Sequence, residues 1–112
     1  HNRDVIVDEL GKLPGVRVVK PQGTFYCLPD FSHYLKPGIA ADSFELSMFL
    51  LNKAKVVTVP GRDFGLEGHL RLSYAGSTVD VVEGMRRIRW ALDAGEPREI
   101  EIGGRTLVRE WA

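Results

Sequence analysis

The chain has 112 residues and 12.5 kDa, enough for one domain and far too little for two. Fifteen Lys and Arg balance fifteen Asp and Glu, so there is no net charge. That excludes a general nucleic-acid binder, which needs a basic surface to replace counterions, and a polybasic membrane patch. Hydrophobic residues at 44% and charged residues at 27% match a soluble globule with a core of its own. No apolar run has the length of a membrane helix, and the start carries no signal-peptide pattern. Cys27 is the single cysteine, so no intrachain disulfide can form, and a reducing, cytoplasmic setting is expected.

The chain opens His1-Asn2-Arg3, without Met, which fits a piece of something longer. Residues 3 to 11 predict a helix on the spacing of Val5, Ile6, Glu9 and Leu10, stopped by Gly11 and Pro14-Gly15. Val16 to Val19 and Thr24 to Leu28 predict two strands, broken by Pro21-Gln22-Gly23 and ended by Pro29, as in an antiparallel pair. Residues 30 to 40 predict a loop with Phe31, His33 and Tyr34. Asp42 and Glu45 have capping-box spacing and open a helix to about Lys53. Val56 to Val59 predicts a third strand, closed by Pro60-Gly61 and a loop with Gly65 and Gly68. Leu70 to Ala75 predicts a fourth. Gly76-Ser77-Thr78 caps a helix over about 78 to 93, stopped by Gly95 and Pro97. Arg98 to Ile102 and Arg105 to Arg109 flank Gly103-Gly104, a two-residue hairpin turn. The expected fold is α+β: a two-layer sandwich, a mostly antiparallel sheet with helices on one face, plus a C-terminal β-hairpin.

Two helices carry more apolar surface than one face uses. In the last helix Val81, Met85, Ile88 and Leu92 form the core stripe, and Trp90 lies about 180° from Val81. Trp90 needs a cover, either the terminal hairpin or a missing domain or partner subunit. The helix at 42 to 53 has one stripe of Phe44, Met48 and Leu51, with Leu46, Phe49 and Leu50 spread around it. Such a helix is expected to be buried on more than one side, which a lone two-layer domain does not easily supply, so the pattern points to lost neighbours. In the strand at 70 to 75, Leu70, Leu72 and Tyr74 share one face, and Arg71, Ser73 and Ala75 share the other. Arg71 then stands on the uncovered face, as a solvated arginine or as a two-pronged grip for an anion.

His1, His33 and His69 lack metal-ligand spacing, and Cys27 reads as a small core residue. Ser73 has no G-x-S-x-G setting, and Arg86, Arg87 and Arg89 read as a solvated basic helix edge. A sheet-based RNA binder is excluded on charge and on an expected lack of aromatic residues beside Arg71.

Three segments in order carry a resemblance: Gly23-Thr24-Phe25-Tyr26 with Pro29-Asp30; Val59-Pro60-Gly61 through Phe64-Gly65 and Gly68; and Leu70-Arg71-Leu72-Ser73-Tyr74-Ala75. They resemble the C-terminal small domain of class I/II aminotransferases, the fold-type-I pyridoxal-phosphate enzymes, over residues 3 to 94. The helix with Glu83-Gly84 and Arg86 to Ile88 is similar to that domain's closing helix. The bacterial aspartate-type subgroup is the most similar.

The resemblance implies a domain over 1–97 and a hairpin extension over 98–112. It implies that Arg71 binds the substrate α-carboxylate, and that Gly23 and Phe25 border the substrate pocket; a plain turn is the other reading of those two. Gly61, Gly65 and Gly68 turn the chain between strands, with no phosphate-cradle motif. The implied parent uses pyridoxal phosphate, moves an amino group between an amino acid and a 2-oxo acid, and pairs as a homodimer. Its Schiff-base lysine would lie in a missing N-terminal large domain, since Lys12, Lys20, Lys36, Lys53 and Lys55 lack the Ser-x-x-Lys context. The isolated chain is then expected to be inactive and to bind no cofactor by itself. The alternative is a non-catalytic α+β ligand-binding or dimerisation module. A sheet face around Arg71 closed by the chain's own residues would favour it.

Overall fold

A computed structural model describes residues 2–18, 26–93, 95–102 and 104–111. Helix α1 spans Asn2–Gly11 and buries Ile6 and Leu10, one turn apart. The Asn2 side chain ties its start to the far end of the sheet. It donates to the carbonyls of Tyr74 (3.1 Å) and Gly76 (2.6 Å) and accepts from Thr78 Oγ1 (2.6 Å).

Helix α2 spans Ser43–Ala54 and α3 spans Thr78–Leu92. Each begins where a side-chain cap satisfies an amide that the helix leaves unpaired. Asp42 accepts from the Glu45 amide at 2.8 Å, and Glu45 reaches back to the Ala41 amide at 3.1 Å. Ser77 accepts from the Asp80 amide at 3.1 Å. Val81, Met85, Ile88 and Leu92 all face the core, as their spacing requires.

Strands β1 (Tyr26–Cys27), β2 (Val59–Pro60) and β3 (Leu70–Ser73) form a sheet in the order β1-β3-β2, antiparallel at both junctions. Within the expected strand at 16 to 19, Arg17 makes a single bridge to Asp30, which in turn bridges His69. Val19 to Phe25 lie outside the described residues. The third strand sits further along than expected. Lys55 closes α2 in the left-handed conformation (φ 59°), and the Val56 amide returns to the Leu50 carbonyl at 3.2 Å. Val56 is thus used in ending the helix. Pro60 falls on an edge strand, where a missing N–H costs no ladder bond. The expected loop at 30 to 40 contains a 3-10 turn, Ser32–Tyr34, and buries Phe31 and Tyr34.

The helices pack on one face of this antiparallel sheet, giving an α+β sandwich. The terminal hairpin pairs β4 (Glu99–Ile102) with β5 (Arg105–Val108), and Ile102 stands opposite Arg105 across the turn. The chain after it covers Trp90, which is 1% exposed. Trp111 stands edge-on to Trp90 at 5.5 Å and to Phe49 at 5.2 Å, and its Nε1 donates to the Ala91 carbonyl at 2.9 Å. The Arg109 guanidinium donates to the carbonyls of Trp90 (3.1 Å), Asp93 and Glu96 (2.6 Å), closing the C-terminal end of α3.

Within this chain helix α2 is buried on one side: Phe44, Met48 and Leu51 are 43%, 39% and 39% exposed. One expectation needs correction: the three arginines of α3 do not form one solvated edge. Arg86 and Arg87 pair with Glu83 on the same helix, whereas Arg89 reaches Glu9 of α1 at 3.6 Å and is largely covered. The cause is register, because Arg89 sits on the flank of α3 that packs against α1.

Candidate functional site

Alternation along β3 sorts its residues. Leu70 and Leu72 are buried against the helices, and Arg71 and Ser73 take the opposite face. Register extends that face sideways: Tyr26 pairs with Ser73 and Val59 with Arg71. Cys27, opposite Leu72, belongs to the core, and burial pushes its thiol up to about 12. It is packing material and no nucleophile at neutral pH.

Arg71 is half-buried, and no carboxylate of the described residues lies within ion-pair distance of it. Its guanidinium carbon is 5.1 Å from the centroid of the Tyr26 ring and 5.2 Å from that of Phe64. Aromatic residues therefore do flank Arg71, contrary to the expectation from sequence. Tyr26 arrives from the neighbouring strand. Phe64 ends the 3-10 turn Gly61–Phe64, which alternation along β3 alone does not reveal.

That turn is fixed from both ends. The Gly61 amide donates to the His69 carbonyl at 2.7 Å, and the Leu66 amide to the Gly61 carbonyl at 2.9 Å. A Cβ at Gly61 would lie 2.3 Å from the Leu66 oxygen and 2.5 Å from the His69 oxygen, so only glycine fits. Glu67 accepts from the amide (2.6 Å) and hydroxyl (3.0 Å) of Ser43, anchoring the loop to the start of α2. The expected role of these glycines, turning the chain between two strands, matches this geometry.

Gly23 and Phe25 lie outside the described residues. His33 is exposed and His69 half-buried, and no group of three or more His, Cys, Asp or Glu among the described residues is placed to hold a metal. The four described lysines are engaged elsewhere. Lys12 is 2.5 Å from Glu9, which holds its amine above the usual range, chiefly through the hydrogen bond. Lys36 and Lys53 lie over the rings of Tyr34 and Trp111, and Lys55 donates to the Asn52 carbonyl.

Comparison with known proteins meets this geometry at the level of family. The family "Aminotransferase class I and II" matches residues 1–88. A "Probable aspartate/prephenate aminotransferase" of Aquifex aeolicus is 55% identical over 93 residues, covering 83% of this chain and 23% of that protein. The aspartate aminotransferase of Pyrococcus horikoshii is 41% identical over 95 residues, with the same shares. Among solved structures, the aspartate aminotransferase from Rhizobium meliloti superposes with a TM-score of 0.74 at 31% identity, over 82% of this chain and 24% of that one. The chain thus spans about a quarter of the length of the relatives it matches. Sequence over most of its length and the shared α+β fold agree: the chain belongs to the class I and II aminotransferases, the fold-type-I pyridoxal-phosphate family.

Proposed function

We propose that the chain is the C-terminal small domain of a pyridoxal-phosphate-dependent aminotransferase of the aspartate/prephenate type. Residues 1–97 form that domain, and 98–112 extend it. In this reading Arg71 holds the α-carboxylate of an amino acid or 2-oxo acid. The observation that carries it is the Arg71 guanidinium, on the face away from the core with no carboxylate of the described residues to neutralise it. A planar guanidinium takes a carboxylate in two parallel hydrogen bonds and so fixes the orientation of the bonds at the substrate α-carbon. Gly23 and Phe25 border the same pocket in this reading.

The Schiff-base lysine and the groups that hold the cofactor phosphate then belong to residues outside this chain. The engagement of the four described lysines supports that assignment. The exposed stripe of Phe44, Met48 and Leu51 supports a larger parent, a homodimer in this reading, with the remaining surface supplied by other domains.

The test is direct. The 112-residue chain mixed with pyridoxal phosphate is expected to give neither transamination nor a lysine-dependent visible band. A band abolished by substituting one of its five lysines would overturn the placement of the cofactor lysine elsewhere. In the intact aminotransferase, Arg71→Ala is expected to remove about 2–5 kcal/mol of binding, a loss in kcat/KM of about 30- to 5,000-fold. An unchanged kcat/KM would remove Arg71 from the site.

The same stripe also suits a second reading, a non-catalytic dimerisation module. Sedimentation of the isolated chain separates the two, since that module would be a dimer on its own.

A further inference from the structure

We infer that Tyr26 and Phe64 are positioning residues that hold the Arg71 guanidinium from two sides in a single carboxylate-ready orientation. The inference rests on the reading of Arg71 as a carboxylate ligand. Both ring centroids lie within cation–π range of the guanidinium carbon, at 5.1 and 5.2 Å.

The rings come from opposite flanks of β3. Tyr26 stands on β1, across the ladder from Ser73, and Phe64 ends the turn that follows β2. Arg71 sits on the strand between them. An arginine with no carboxylate among the described residues has no ion pair to choose its rotamer, and a long side chain loses much rotamer freedom when it binds. Two flanking rings meet that ordering cost before the ligand arrives. A ring stacked on the π face of a guanidinium leaves its in-plane N–H groups to a carboxylate, so the two kinds of interaction are compatible. Both rings are half-exposed, Tyr26 at 41% and Phe64 at 45%. Core packing alone therefore does not account for their placement. The rigid turn at Gly61 and the Glu67 anchor at Ser43 hold Phe64 where it meets Arg71.

The test uses the 112-residue chain with succinate as the carboxylate probe, followed by NMR. Two signals are read: the side-chain Nε–H of Arg71 and the backbone amide of Ser73. In the unsubstituted chain the Arg71 signal is expected to be more ordered than that of the exposed Arg105, and both signals shift saturably with succinate. Phe64→Ala and Tyr26→Ala are each expected to loosen Arg71 and weaken succinate binding by about three-fold, the size of an exposed cation–π contact. Phe64→Tyr and Tyr26→Phe keep the ring and are expected to preserve both readouts. Core amide signals are recorded throughout. Phe64→Leu and Tyr26→Leu, which keep apolar bulk without a ring, replace any alanine variant that loses its fold. If succinate does not shift these signals, or if the Ser73 shift survives in Arg71→Lys, the carboxylate reading falls and this inference with it. If succinate binds through Arg71 but the ring-less variants leave order and affinity unchanged, the positioning role alone is overturned.

Discussion

Asp30 joins three segments with one side chain and two bridges. Its backbone pairs with Arg17 and with His69, and its carboxylate accepts from the Ser32 amide at 2.8 Å. Hydrogen bonding from the Ser32 side chain and then from its amide, with His69 and Arg17 nearby, holds its carboxyl below the usual carboxylate range. A lowered value in the folded state means that the unfolded chain binds more protons between the two values. Stability from Asp30 is therefore complete above the ordinary carboxylate value and is lost as pH falls through the folded one. Asp30→Asn keeps the acceptor and removes the charge. It is expected to flatten the acid side of the stability profile below about pH 4, measured by urea unfolding at several pH values. An acid limb as steep as that of the parent chain would show that Asp30 does not contribute to it. The sequence marks Asp30 only as a residue after Pro29, because its partners are about 13 and 39 positions away in the chain and arrive by folding.

At the scale of elements, the turn between β2 and β3 does more than connect strands. Gly61 and Gly65 are both required there for different reasons, and substitution separates them. Gly65 is left-handed (φ 75°) with open space around its missing Cβ, so Gly65→Ala carries only backbone strain, about 1 kcal/mol. A Cβ at Gly61 meets two backbone oxygens held by hydrogen bonds, so Gly61→Ala forces the turn apart and is expected to cost about 1–3 kcal/mol. Urea midpoints of the two variants give the comparison. A Gly61→Ala midpoint no lower than that of Gly65→Ala would mean the turn yields without cost. The helices at this scale were legible beforehand: the caps at Asp42 and Ser77 and the stripe from Val81 to Leu92 are local patterns. The short strands were less so. The shift to Val59–Pro60 follows from how α2 ends, and the exposed side of α2 from which neighbours the fold supplies.

For the whole molecule, the segment after α3 acts as a clasp. Arg109 and Trp111 bond to four carbonyls at and just beyond the end of α3, and Trp111 fills the angle between Trp90 and Phe49. Removing residues 98–112 is expected to expose Trp90, shift its fluorescence to the red and lower the unfolding midpoint. Loss of two buried-face contacts of this kind amounts to about 2–4 kcal/mol. Unchanged emission would show that Trp90 is covered by something other than this clasp. The same segment answers which of two covers Trp90 receives: the chain's own C-terminal residues.

What the sequence by itself determined is local and periodic. It set the helices with their caps, the inside and outside of β3, the pairing of β4 with β5, and the place of Arg71 on the outer face. These follow from spacings of two and of three to four residues within one element. Motif order pointed to the aminotransferase family, which comparison over residues 1–88 established. Only the tertiary structure decided which side of α2 stays exposed, that Arg89 pairs with Glu9, and that Tyr26 and Phe64 stand beside Arg71. The physical reason is that each joins residues about 7 to 80 positions apart. Their meeting depends on strand order and loop closure, and no periodicity along the chain encodes those.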